Sequence, residues 1–373
     1  MSDKDDWLHQ LRHVDSLHDL ALDRPLVGDL ASLDGAAGRP LHFFTPSVKC
    51  YASDEISPGH TGGWPAVSIT GADCALQCDH CRARILRPMC AARTPQALWR
   101  TAERLIAQGG RGMLLTGGSN RRNTVKYDAY YSTIQRIKAA YPAFEIAVHT
   151  ALVDESSANS LAQCGVDVAM LDLIGAQETI AQVYHLQRSV DDFERSLALL
   201  TATRMRVVPH IVAGLHYGKL LGEYHALDMV RRHPPAALVL VVVMPYYAPR
   251  NRPFVIPDAT AIGRFFLDAR RLLPALSLRL GCARPAGRTK AAIDSYAVMA
   301  GFDGIAHPTD GIVELAVRLG RRVSLAGSCC ATAGALPSAN SAAGFTPPLR
   351  RLIASRCGGG IASPGASFPC DAS

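Results

Sequence analysis

Short runs of β-branched and other apolar residues recur along the chain, each bounded by glycine, proline or polar clusters and separated by stretches with a helical apolar stripe. They fall at 66–70, 112–116, 145–149, 167–173, 206–212, 237–244, 277–280 and 304–306, which predicts eight strands alternating with helices. The run Leu238-Val-Leu-Val-Val-Val-Met244 has no polar alternation, as expected of a parallel strand buried on both faces. Between the first two strands, Thr94-Pro95 reads as an N-cap followed by proline at the first helical position. Leu98, Ala102, Leu105 and Ile106 form the inward stripe, and Gly109 ends the helix. The pattern repeats over 190–200, 262–273, 291–300 and 311–319. Together these predict an α/β fold, a (β/α) TIM-type barrel, full or nearly closed.

The expected organisation is an N-terminal extension (1–43), a barrel (44–327) and a C-terminal cysteine-containing segment (328–373). The extension holds a weakly amphipathic helix at 7–22 and reads as a cap or docking element. From about residue 333 the composition shifts to Gly, Ala, Ser and Pro, which predicts a flexible, low-complexity tail. A length of 373 residues suits one α/β core with such extensions. No run of eighteen apolar residues exists, and the start Met-Ser-Asp-Lys-Asp-Asp is acidic, so neither a spanning helix nor a secretory signal is expected and the location should be cytoplasmic. The net charge of +7 is spread over pairs such as Arg231-Arg232, Arg270-Arg271 and Arg321-Arg322, without the long basic runs of a nucleic-acid-binding tail. A mildly basic surface would steer an acidic protein partner.

The 11 cysteines change the picture. In a reducing compartment they are thiols, and clustered ones read as metal ligands. Cys74, Cys78 and Cys81 form a Cys-x3-Cys-x2-Cys triplet directly after the first strand. Three thiolates on one loop hold three irons of a [4Fe–4S] cluster and leave the fourth open to a ligand. The alternative is a zinc half-site at Cys78 and Cys81, which needs a second pair that the adjacent Cys329-Cys330 supplies poorly. Barrel enzymes work at strand C-termini, where Gly117-Gly118-Ser119, His210-Ile211, Gly214, His216 and Cys282-Ala-Arg284 fall. His210 and His216 read as satisfied structural histidines. Charged residues look scarce at these ends, which suits a long apolar substrate chain. Cys90, Cys164, Cys357 and Cys370 carry no site signal.

The triplet, with His80 in the aromatic place before its third cysteine, resembles the radical S-adenosylmethionine (SAM) superfamily. That resemblance implies a cluster that binds SAM and cleaves it reductively. Leu114-Leu-Thr-Gly-Gly-Ser-Asn120 resembles the superfamily's glycine-rich strand end that holds the methionyl amino group, with Ser119 in place of its Glu. Ile211 and Gly214 stand where the superfamily packs adenine, and Arg188, after Tyr184-His-Leu-Gln, stands where biotin synthase pairs an Arg with the SAM carboxylate. Cys282 and Arg284 lie in a stretch similar to the one where biotin synthase ligates a sulfur-donating cluster with Arg, although the three barrel-strand cysteines of that enzyme have no counterparts here. With Phe43-Phe-Thr-Pro-Ser47 and Val183-Tyr-His-Leu186, the chain resembles the two-subunit lipoyl synthases, which insert sulfur into a protein-bound octanoyl chain. This implies a lipoyl carrier protein or domain, a second radical SAM subunit and an electron donor such as ferredoxin or flavodoxin. It also implies a second [4Fe–4S] cluster, for which Cys282, Cys50, Cys329 and Cys330 are candidates and at which Cys282 and Arg284 would act. A single-cluster radical SAM reaction and a non-catalytic cluster-binding assembly subunit are the alternatives.

Overall fold

The computed structural model describes residues 3–35, 38–47, 51–57, 63–244, 248–332 and 344–357. These form two units, each assembled from separated stretches: one within 1–62, 258–271 and 286–373, the other within 63–257 and 272–285. In chain order the first unit opens with helices α1 (Asp3–Arg12) and α2 (Arg24–Ala31) and strand β1 (Leu41–Phe44). The expected helix over 7–22 is helical only to Arg12, and its apolar positions Val14 and Leu17 are buried from turns beyond it. Helix α2 begins where the Asp23 carboxylate accepts the Leu26 N–H and Pro25 fills the first turn.

The second unit runs β2 (Ala66–Ser68), β3 (Cys90–Ala91), α3 (Pro95–Ala107), β4 (Gly112–Thr116), α4 (Tyr131–Ala140), β5 (Glu145–His149), α5 (Glu155–Gln163) and β6 (Val168–Met170). It continues with α6 (Gln177–Gln182), α7 (Val190–Thr201), β7 (Arg206–Val207), β8 (His210–Ala213), α8 (Glu223–Arg232) and β9 (Leu238–Val242). Helix α9 (Ala259–Leu272) belongs almost wholly to the first unit, and β10 (Leu278–Leu280) to the second. The first unit then closes with α10 (Arg288–Met299), β11 (Gly304–Ala306), α11 (Ile312–Arg318), β12 (Val323–Ala326) and α12 (Pro347–Cys357). Thus part of the stretch expected to be a flexible tail is helical, and it buries Leu349 and Ile353.

Within each unit, the strand pairings among the described residues are parallel. In the second unit the order is β3-β2-β4-β5-β6-β7, and β8-β9-β10 run side by side. A parallel bridge between Asp172 and His210 links the end of the β6 segment to β8. In the first unit β1 lies between β11 and β12. Parallel strands alternating with helices are the (β/α) barrel-type α/β fold that the periodicity predicts. Among the described residues no pairing closes the strands into a ring. The run expected as one strand over 206–212 divides at Val208-Pro209 because proline has no N–H to give the ladder. Val208 still donates to the Ala169 carbonyl, and β8 then pairs with β9.

Candidate functional site

The cysteine loop is built from the end of β2. The Ser68 hydroxyl donates to the Gly71 carbonyl at 2.6 Å, and Thr70 donates to the Asp73 carbonyl at 2.9 Å while accepting the Gly118 N–H at 2.7 Å. The Ala75 N–H donates to the Ser119 carbonyl at 2.9 Å, so the loop is sewn to the turn after β4. Gly118 must be glycine, because a Cβ there would overlap the Asp73 carbonyl and Cys74. Gly117 is enclosed by Ile69, Thr70 and Val125. Ser119 contributes its carbonyl, which also accepts from the Cys74 thiol at 3.7 Å. Three non-glycine residues around the triplet, Gln77, Arg82 and Ala83, hold left-handed φ values of 50°, 47° and 58°, a conformation that persists only where surrounding contacts fix it.

Cys78 is buried, and Cys74 and Cys81 are partly so. Burial, reinforced by the neighbouring cysteines, pushes the Cys78 thiol far up and the Cys81 thiol to about 11. Without a metal these two thiols therefore stay protonated, and a bound metal ion would have to displace their protons. Among the described residues no three His, Cys, Asp or Glu side chains converge on a single-ion position. A cubane takes each thiolate on a different iron.

Two aspartates bear on this loop, Asp79 within it and Asp172 beside it. Asp79 is buried and fully engaged: it accepts from the Tyr217 hydroxyl at 2.8 Å and Arg252 at 3.3 Å, and its other oxygen lies 3.0 Å from His185 Nε2. Its N–H donates to the Val183 carbonyl, so one residue between two cysteines ties the loop to the segments after β6, β8 and β9. Asp172 lies just past β6, with His149 Nε2 at 3.5 Å. Burial would raise its carboxyl, but His149, together with His210 and His80, outweighs burial and holds it at about 2. Burial brings His210 down to about 4, leaving it neutral near pH 7. His210 Nδ1, His80 Nδ1 and the Tyr184 hydroxyl are buried without a hydrogen-bond partner among the described residues, and the His80 and Tyr184 rings lie 5.1 Å apart. These orphaned polar atoms around an ionised carboxylate are what a ligand-holding site looks like before its ligand is counted.

The expected site residues divide accordingly. His80, Gly117, Gly118 and Ser119 lie on or against the cysteine loop. Arg188 reaches it too, sharing a cavity of about 800 Å³ with Ala75, Leu76, Arg121 and Arg122 while lying 3.9 Å from Asp192. Ile211 is buried beside Leu173, Ile174 and Leu215. Gly214, at φ 77°, gives its N–H to the buried Glu223. His216 is the structural histidine expected, 3.2 Å from the Thr179 hydroxyl. His210 is not: its Nδ1 is orphaned. Nor are charged groups scarce at the strand ends, which carry His149 and Asp172. Cys282 lies just past β10, and Arg284 is buried with its guanidinium donating to the Gly281 carbonyl at 2.5 Å. Cys329 and Cys330 belong to the other unit, and Cys50 lies outside the described residues. Sequence reading missed Asp79, Asp172 and Glu223. The only signal for Asp172 was a single acid inside an apolar run.

No family model and no curated protein matches the chain. Solved structures do. The [FeFe]-hydrogenase maturase HydG from Carboxydothermus hydrogenoformans superposes with a TM-score of 0.54 at 12% identity, covering 82% of this chain and 73% of that one. A second HydG structure gives 0.53 at 13% identity, over 87% and 76%. Methylornithine synthase gives 0.49 at 13% identity, over 82% and 86%. At such identities the HydG structures establish a shared fold.

Proposed function

We propose that this chain is a radical SAM enzyme. The observation that carries the reading is the Cys74/Cys78/Cys81 loop, three thiols on one short loop whose path against Gly118 leaves no room for a side chain, set at the end of a strand in a (β/α) fold. When bound, a [4Fe–4S] cluster with SAM on its open iron would supply the electron that cleaves SAM to methionine and a 5′-deoxyadenosyl radical. The protein's part is to hold and shield. The three thiolates would carry three irons, Arg188 would pair with the SAM carboxylate, the Gly117–Ser119 backbone would face its amino group, and Ile211 with Gly214 would form an apolar wall.

The finer reading is sulfur insertion into an unactivated C–H bond of a protein-bound octanoyl chain, the lipoyl synthase-type reaction, with Cys282 and Arg284 beside a second cluster. It is supported by their place just past β10. The His149, Asp172 and His210 group favours a second reading, a single-cluster radical reaction on a substrate with polar groups. Anaerobic reconstitution followed by iron, sulfide and 5′-deoxyadenosine assays tests both. About eight irons per chain are expected for sulfur insertion and about four for the alternative, at four per cubane. Failure to form 5′-deoxyadenosine with a loaded cluster and dithionite would refute the radical SAM assignment.

A further inference from the structure

If the chain cleaves SAM reductively, one electron must enter at the cysteine loop from a protein donor, and the outer surface of that loop is unusual. After Cys81 the chain passes through left-handed Arg82 and Ala83 into a single 3-10 turn, Arg84–Leu86. Ala83 and Leu86 point inward and are buried, while Arg82, Arg84, Ile85 and Arg87 are exposed. Ile85 is 48% exposed, one of few large apolar side chains in the described residues left so open. Between residues 74 and 93 the sequence has four arginines, at 82, 84, 87 and 93, against one acidic residue, Asp79, which is buried and bonded. Arg93 pairs with Asp73. The turn thus presents Ile85 among the exposed Arg82, Arg84 and Arg87, on a backbone held to Cys78, since the Arg82 N–H donates to the Cys78 carbonyl at 2.8 Å.

From this we infer that the Arg82–Arg87 turn is the docking surface for an acidic, low-potential, one-electron donor protein. An apolar contact inside an arginine rim is how specific interfaces are composed, and opposite charge raises the rate of encounter. The short covalent path from Cys81 to Ile85 places the docked donor against the residue that holds an iron. In the transfer the donor is oxidised by one electron and the cluster reduced by one, with no bond made or broken. The inference rests on the radical SAM reading and is separable from it.

The test uses the anaerobically reconstituted full chain, a purified flavodoxin as protein donor and dithionite as chemical donor. Arg87→Glu and Ile85→Asp should each weaken flavodoxin binding at least tenfold by calorimetry and slow its stopped-flow oxidation to match. The dependence of wild-type binding on salt should flatten in Arg87→Glu. Both variants should keep the wild-type iron content and dithionite-driven 5′-deoxyadenosine yield. Unchanged flavodoxin affinity overturns the docking site. Loss of iron or of dithionite-driven cleavage also overturns it, by assigning the turn to the fold of the loop. Absence of dithionite-driven cleavage in the wild type refutes the radical SAM reading itself.

Discussion

Asp79, inside the cysteine loop, and Asp172, just past β6 beside it, are opposites. Asp79 has every oxygen answered, by Tyr217, Arg252 and His185, and is a latch between segments far apart in sequence. Asp172 is the more exposed of the two and lies among groups that are not all answered: His210 Nδ1, His80 Nδ1 and the Tyr184 hydroxyl have no hydrogen-bond partner among the described residues. A closed polar network spends its bonding on holding shape, whereas an open one keeps it for a ligand. Distance from the cysteines does not separate the two roles; completeness of hydrogen bonding does.

The largest effect should come from the surface both aspartates serve. Gly118→Val forces a side chain into the Asp73 carbonyl and Cys74, so the variant should fold but reconstitute with few irons and form no 5′-deoxyadenosine. Wild-type iron content in that variant would show that the loop tolerates displacement. Next, Asp79→Ala removes the acceptor of the half-exposed His185 and Arg252 and one of two acceptors of the Tyr217 hydroxyl, and should cost about 1–2 kcal/mol by urea denaturation. Asp172→Asn should cost well under half of that, yet abolish most SAM cleavage. Equal stability losses at the two positions would dissolve the contrast. Arg188→Ala should weaken SAM binding roughly ten- to a hundredfold, about 1.5–3 kcal/mol, with no change in melting temperature. An unchanged dissociation constant would return Arg188 to its contact with Asp192.

A third carboxylate sharpens the comparison from the first unit. Glu55 accepts the Val313 and Glu314 N–H groups at the start of α11, yet burial outweighs these bonds and raises it to about 7. Because the folded chain then holds a proton that the unfolded chain releases near pH 4.5, stability should fall as pH rises from about 4.5 to 7 and level off above. The slope is at most about 1.4 kcal/mol per pH unit. Glu55→Gln should remove that slope in denaturation curves taken between pH 5 and 7.5.

The strands and the triplet were legible because each is a contiguous signal. The runs at 112–116, 145–149 and 304–306 recur as β4, β5 and β11 to the residue, since flanking glycines and polar residues mark their ends. Strand β3 is two residues long and leaves no period to read. Pro209 broke a run whose apolar character alone did not announce a break. In the site, the loop cysteines were readable from spacing, and Gly118 only through the resemblance of Leu114–Asn120 to a glycine-rich strand end. Asp79, enclosed in Cys-Asp-His-Cys, and Asp172, in Met-Leu-Asp-Leu-Ile, were not, since their meaning lies in partners up to 173 positions away, as Arg252 is from Asp79.

The place of β1 between β11 and β12 has a consequence for the order in which the protein is made. Leu41–Phe44 leaves the ribosome early, but its pairing partners begin at Gly304 and Val323. Throughout synthesis of the intervening chain, the apolar β1 has neither neighbour and depends on chaperones or on non-native cover, while the segments from β2 to β9 find their partners as they emerge. A chain stopped before residue 304 would therefore hold the segments of its second unit around the cysteine loop while its first unit has a strand unpaired on both edges.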